Sequence, residues 1–241
     1  MKIRLLSDLH LELANIHIEF DTKADIVILA GDIGSPYKDN YNNLLKQLSS
    51  IHEKVFIITG NHEYYQRNHT MHKTESKIRT LCALYDNVHF LQKESYIYKG
   101  IRFLGCTLWS HIDDPTLCKY MNDFTYIPNF SFDKYIALHN DHKIWLQNEL
   151  ETIGDFDMTL VITHHLPNSQ LVSEKYKEHP LNSFFASDIN INGANIWCYG
   201  HSHMSNYKII DGIHFYCNPR GYSHEKTEWN PNMIIEQYTI L

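Results

Sequence analysis

The chain has 241 residues, 43% of them hydrophobic, and a formal net charge of −7. That length and apolar content exclude a disordered chain and allow one well-buried core, so the simplest reading is a single domain over 1–241. The acidic balance argues against broad binding along a phosphate backbone, which needs a basic face, but an anionic substrate stays open because bound divalent metals would reverse the local field. The opening Met1–Leu6 is too short for a signal peptide, and no apolar run approaches the roughly 18 residues of a membrane-spanning helix. Five cysteines without a C-x-x-C pair read as reduced thiols. Together these features place the protein in the cytoplasm, away from membranes.

Lys2–Leu6 reads as a strand that runs directly into Ser7-Asp8-Leu9-His10. Asp25–Ala30 is a second strand, followed by Gly31-Asp32. Leu44, Leu48 and Ile51 then mark one face of a helix. Val55–Thr59 is a third strand, and it ends in Gly60-Asn61-His62-Glu63, where glycine permits a sharp turn. Met71, Ile78, Leu81, Cys82 and Tyr85 predict a second helix. Two strands flank Lys99-Gly100, with Ile101–Gly105 as the second.

Residues 107–130 lack a clean period but hold Trp109, Tyr120, Phe124, Tyr126 and Phe130. A long irregular segment of that kind is expected to be an ordered flap. Ser131 is positioned to cap a long helix lined by Tyr135, Leu138, Trp145, Leu146 and Leu150, with Gly154 ending it. Thr159–Thr163 precedes His164-His165, and Ile196–Tyr199 precedes Gly200-His201-Ser202-His203. Tyr207–Ile210 and Ile213–Cys217 flank Asp211-Gly212, a type I′ hairpin signal. Met233–Ile240 predicts a closing strand.

Five polar motifs thus share one address, just past the carboxyl end of a strand, where open α/β sheets bind ligands. They are Asp8-x-His10, Asp32, Asn61-His62, His164 and His201-x-His203. Carboxylate, amide oxygen and imidazole nitrogen suit borderline divalent metals, and the absence of cysteine argues against a thiolate zinc site. Seven such donors exceed the needs of one ion and suit two ions about 3.5–4 Å apart that share a carboxylate. Singly, Asp8 could be a turn carboxylate or a helix cap, and any one histidine a core residue. That plainer reading is kept for His17, His52, His69, His72, His89, His111, His139, His142, His179, His214 and His224.

This ordered set, from Asp8 to His203, resembles the calcineurin-like metallophosphoesterases. The resemblance implies an α/β fold, a four-layer αββα sandwich of two mixed β-sheets. It implies that Asp8, His10 and His203 hold one metal, that Asn61, His164 and His201 hold another, and that Asp32 bridges them. His62 matches the catalytic histidine and is not a ligand. Thr163–Pro167, Thr107–Trp109 and Asn218–Tyr222 are similar to a largely bacterial, poorly characterised branch. The serine/threonine protein phosphatases carry further arginines around Gly-Asp and Gly-Asn-His-Glu, which this chain lacks. The lipid-A-pathway UDP-sugar hydrolases carry arginine at the place of His62.

The expected function is therefore hydrolysis of a phosphomonoester or phosphodiester, with water activated by two metals, manganese foremost and iron or zinc as alternatives. His62, fixed next to Asn61, could protonate the leaving oxygen. Glu63 either orients His62 or is a carboxylate outside the ligand set. His165, Trp109 and Arg220 are the candidate substrate contacts, Arg220 because its planar fork matches phosphate oxygens. The partner is a small phosphate ester. Nucleic acid and a non-catalytic scaffold role are the rival readings.

Overall fold

The computed structural model describes residues 1–236. In chain order its strands are β1 (Lys2–Leu6), β2 (Ile26–Ala30), β3 (Lys54–Ile58), β4 (Val88–Phe90), β5 (Glu94–Tyr98), β6 (Ile101–Cys106), β7 (Met158–Thr163), β8 (Ile196–Tyr199), β9 (Asn206–Ile210), β10 (Ile213–Cys217) and β11 (Ile234–Glu236). Its α-helices are α1 (Asp39–Ile51), α2 (Met71–Cys82), the single turn α3 (Asp123–Tyr126) and α4 (Phe132–Glu151). The strands form two sheets, in the orders β11-β1-β2-β3-β4 and β5-β6-β7-β8-β10-β9. Both are mixed: β1 to β4 run parallel with β11 antiparallel, and β6, β7, β8 and β10 run parallel between the antiparallel β5 and β9.

The period-2 alternation of side chains decides which layer each residue enters. Along β2, Ile26, Ile28 and Ala30 face the second sheet, where they meet Phe103, Leu160 and Ile162. Val27 and Leu29 face outward onto Leu44 and Leu48 of α1 and Ile78 and Leu81 of α2. The second sheet repeats the arrangement: Leu104 and Val161 pack outward against Leu146 and Leu150 of α4. The result is a four-layer αββα sandwich. Strands buried on both faces read as unbroken apolar runs rather than as alternation. Phe56 lies between the sheets and is fully buried, so its truncation to alanine would cost about 3–5 kcal/mol.

Capping fixes where the helices begin. The Thr70 side chain accepts from the Lys73 amide at the start of α2, and Ser131 accepts from the Lys134 amide at the start of α4. The predicted elements are all present, with differences at their margins. Ile51 ends α1 but is 51% exposed rather than on its buried face. The long helix α4 stops at Glu151 with Thr152 as its cap, two residues short of Gly154. β4 spans only three residues, too few to give a period. β11 covers Ile234–Glu236, and the remainder of the predicted Met233–Ile240 strand lies outside the described residues. The hairpin signals hold: Asp211 and Gly212 both have positive φ, at 51° and 79°. Among the described residues no helix is long and apolar enough to cross a membrane.

Candidate metal centre

The parallel strands of the two sheets deliver their carboxyl ends to one place. The chain past β1 pairs with the chain past β2, through Asp8 N–H to the Gly31 carbonyl and His10 N–H to the Asp32 carbonyl, both at 3.0 Å. The second sheet joins through His164, whose Nδ1 lies 2.9 Å from the Ala30 carbonyl, and through the His201 amide, which donates to Asp8 Oδ1 at 3.0 Å. Asp8, His10, Asp32, His201 and His203 all adopt positive φ, between 49° and 67°. A left-handed conformation at five non-glycine residues costs free energy that the surrounding contacts must offset, and such strain concentrates at functional sites. Gly60 is required for a different reason. A Cβ there would sit 2.1 Å from Asp32 Oδ1.

Among the described residues three clusters of potential ligand atoms result: Asp8, His10 and His203; Asp32, His164 and His201; and His10, Asp32 and His62. Asp32 is common to two of them, with Oδ2 3.3 Å from His164 Nε2 and 4.0 Å from His10 Nε2. Its other oxygen accepts from the His62 amide at 2.8 Å. Every one of these histidines except His62 is held by one ring nitrogen, which leaves the other for the cluster. His10 Nδ1 is tied to Glu12, His203 Nδ1 to Glu225, His164 Nδ1 to Ala30 and His201 Nε2 to the Phe184 carbonyl. His62 differs, since Nδ1 meets Glu12 at 3.0 Å and Nε2 meets the Tyr222 hydroxyl at 3.2 Å.

The donors fit a metal. Asn61 Oδ1 is buried without a hydrogen-bond partner, although burying an unpaired polar atom is costly, and buried His164 Nε2 has only Asp32 Oδ2, 3.3 Å away and poorly aligned for a hydrogen bond. Asn61 is turned that way because its Nδ2 donates to Asp123 at 2.8 Å and to Tyr65 at 3.0 Å. His10 Nε2 and His203 Nε2 face each other at 3.0 Å while each ring gives Nδ1 to a carboxylate. Two such lone pairs need a cation between them, whether a proton or a metal ion.

The electrostatics agree. Burial opposes ionisation of Asp8, but the hydrogen bond and charge of His203 overcome it and take the carboxyl down to about 2. Glu12, half-buried, is pulled to about 2 by His10 and His62 against the cost of its desolvation. Burial drives His201 down to about 3, so it stays neutral as a ligand must. Glu63 is fully buried and raised to about 7, first by burial and then by Asp32.

Not every candidate arrives. Asp8, His10, Asp32, Asn61, His62, His164, His201 and His203 come together. Trp109 and His165 are fully buried side by side, with ring centroids 5.3 Å apart, and neither lines the cleft above the clusters. Arg220 also fails to reach the cleft: its Nη1 donates to the Leu9 carbonyl at 3.0 Å, bracing the Asp8-x-His10 loop instead. Glu63 does not orient His62. It accepts from the Gly60, Asp32 and Ile33 amides and so braces the chain past β2 and β3. The partner of His62 is Glu12, which the sequence could have offered, since Asp8, His10 and Glu12 alternate. Asp123, Glu225 and Tyr222 carried no such signal. His179, set aside as ordinary, lines the cleft.

The cleft has a volume of about 360 Å³. Asp32, Asn61, His62, His201 and His203 form its floor, residues 120–122 one wall and parts of 166–185 the other. Residues 107–130 divide accordingly. Trp109, Ile112 and Ile127 are core with Tyr135 and Phe184, whereas Tyr120 and Met121 face the cleft.

A two-sheet α/β sandwich with clustered carboxylates and imidazoles at one strand edge is a metal-binding enzyme scaffold. The calcineurin-like phosphoesterase model matches residues 1–205, and the chain belongs to that family. Metal-dependent hydrolysis of phosphate esters is the coarse activity that membership carries. An uncharacterised protein of Acanthamoeba polyphaga mimivirus is 29% identical over 97% of this chain and 96% of its own length. The crystal structure of a phosphopantetheinyl hydrolase from Mycobacterium tuberculosis aligns with a TM-score of 0.69, covering 92% of this chain and 89% of that one at 17% identity. At that identity the likeness speaks to the fold alone.

Proposed function

We propose that this protein hydrolyses a phosphomonoester or phosphodiester with two bound divalent ions. The observation that carries the reading is the position of Asp32, which belongs to two of the three ligand clusters and has Oδ2 3.3 Å from His164 Nε2 and 4.0 Å from His10 Nε2, itself in the cluster with Asp8 and His203. Asp8, His10 and His203 would hold one ion, Asn61, His164 and His201 the other, and Asp32 both. Nitrogen and oxygen donors suit manganese, with iron or zinc as alternatives. When bound, the metals supply Lewis acidity at the phosphoryl oxygens and lower the pKa of a water.

The remaining work falls to the chain's own groups. Burial alone would lower the pKa of His62, but Asp32 and the Glu12 hydrogen bond raise it above its ordinary value, which favours a proton on the ring. It sits on the cleft floor, where a proton at Nε2 can pass to the leaving oxygen. The Tyr222 hydroxyl holds that nitrogen until a leaving group displaces it. Glu12 keeps the ring in one orientation.

Against a nuclease, no lysine or arginine among the described residues lines the cleft. Against a scaffold role, the ligand set and His62 are complete. The test is a screen of metal-reconstituted protein against phosphomonoesters, phosphodiesters, cyclic phosphates and phosphopantetheine esters, the last because of the mycobacterial structure's name. Metal-dependent phosphate release supports the reading, and undiminished activity in metal-free protein overturns it.

A further inference from the structure

Above the floor, the cleft has an unusual balance of side chains for an enzyme that takes anions. Among the described residues no lysine or arginine lines it, and the only carboxylates in its lining, Asp32 and Glu225, are both already committed to histidines. The walls carry Tyr120 and Met121, and Val172, Tyr176 and Phe185, beside the uncharged polar Asn122, Ser173 and Asn182 and the imidazole of His179. Tyr120 remains 62% exposed, Tyr176 43% and Met204, at the mouth, 37%. Large apolar groups left open around a concave site mark a surface that a ligand covers. Lys119 and Lys175 lie nearby, but their ammonium groups rest over the Tyr120 and Tyr176 rings, each 4.9 Å from the ring centroid, and are not part of the lining.

A second anionic group on a substrate would therefore enter this cleft with no lysine or arginine in the described lining to meet it, and would lose part of its hydration without replacement. An apolar leaving group would displace only loosely held water from the walls. We propose that the substrate carries a single phosphate whose leaving group is an uncharged aromatic or extended apolar alcohol, held between Met121 and Tyr176. This rests on the hydrolytic reading above. The reaction is simple hydrolysis: the phosphorus–oxygen bond to the leaving alcohol breaks, one to water oxygen forms, and the water's protons end on the alcohol and the phosphate.

The experiment uses the manganese-loaded full chain and aryl phosphates, as monoesters and as methyl diesters, chosen for matched leaving-group acidity. Phenyl, naphthyl and carboxynaphthyl esters form the series. The naphthyl ester should exceed the phenyl ester in kcat/KM by about tenfold, from the extra apolar area buried. The carboxynaphthyl ester should lose that gain. In Tyr176→Ala and in Met121→Ala the naphthyl-to-phenyl ratio should fall toward one. A ratio near one in the unaltered protein overturns the inference and leaves hydrolysis standing. A preference for the carboxylated ester also overturns it, and would assign the mouth to Lys119 and Lys175. If no ester of either series is turned over with metal bound, the hydrolytic reading itself fails.

Discussion

Replacing Asp123 with alanine should weaken the site of the second metal without touching the first. Asp123 is 1% exposed, and its Oδ1 accepts from Asn61 Nδ2 at 2.8 Å and from the Tyr65 hydroxyl at 2.9 Å. Those bonds fix the Asn61 amide with Nδ2 toward Asp123 and leave Oδ1 as its buried, unpartnered end. Without the carboxylate, Nδ2 keeps only Tyr65, and the amide is free to turn its nitrogen toward the ion. Losing such a supporting partner typically costs 10–100-fold in metal affinity, about 1.4–2.8 kcal/mol. Asp123→Asn retains an oxygen acceptor, so its loss should stay below about tenfold, as a neutral bond replaces a charge-assisted one. Calorimetric titration of metal-free protein with manganese would resolve a tight and a weakened step. If Asp123→Ala, folded by circular dichroism, binds both ions as tightly as the unaltered protein, Asn61 is not a ligand oriented by Asp123. Equal losses in the alanine and asparagine variants would also refute the reasoning.

Three further outcomes follow from the same geometry. His62→Asn should keep its metal content and lose about a hundredfold or more in kcat. The loss should shrink for nitrophenyl esters, whose leaving oxygen needs no proton, and equal losses on good and poor leaving groups would remove His62 from that role. Glu12→Ala should lower turnover by about 10–100-fold. That effect too should depend on the leaving group, and an unchanged rate on alkyl esters would show that His62 needs no such brace. Burial holds His139 down at about 4 and His142 at about 3, both under the loop at Leu108. Their folded values lie below the unfolded value of about 6.5, so their contribution to stability is full above that pH and is lost as pH falls toward about 4, at up to about 1.4 kcal/mol per pH unit for each. Urea unfolding between pH 7.5 and 4.5 should show a shallower decline in His142→Asn, and parallel declines would count against the assignment.

The fold and the gathering of the candidate ligands were legible because both rest on local pattern. Apolar runs such as Ile26–Ala30 announce buried strands, and a polar motif after each run marks the strand end where open sheets bind ligands. What holds those ligands was less legible. Glu12 follows Asp8 and His10 in simple alternation, but Asp123 reaches Asn61 across 62 positions of chain and Glu225 reaches His203 across 22. Such pairings depend on how loops pack, which no short-range period encodes. Arg220 misled for the same reason. Its chemistry suits a phosphate, yet the backbone bonds from Arg220 to Ser7 and from Gly221 to Asp8 lay its segment along the β1 loop, where the guanidinium meets the Leu9 carbonyl. Trp109 and His165 drew attention through the motifs around them, and both are packing residues beneath the cleft.

The most direct test of the account is the metal content of the protein measured beside its turnover, for the unaltered chain and for Asp32→Asn. Protein reconstituted with manganese should hold about two ions per chain and hydrolyse phosphate esters, and removal of the metal should abolish both. Asp32→Asn, which weakens the carboxylate proposed to bridge the two ions, should lower occupancy at both positions rather than one. Full turnover by protein stripped of metal, or an Asp32→Asn variant that keeps two tightly bound ions, would contradict it.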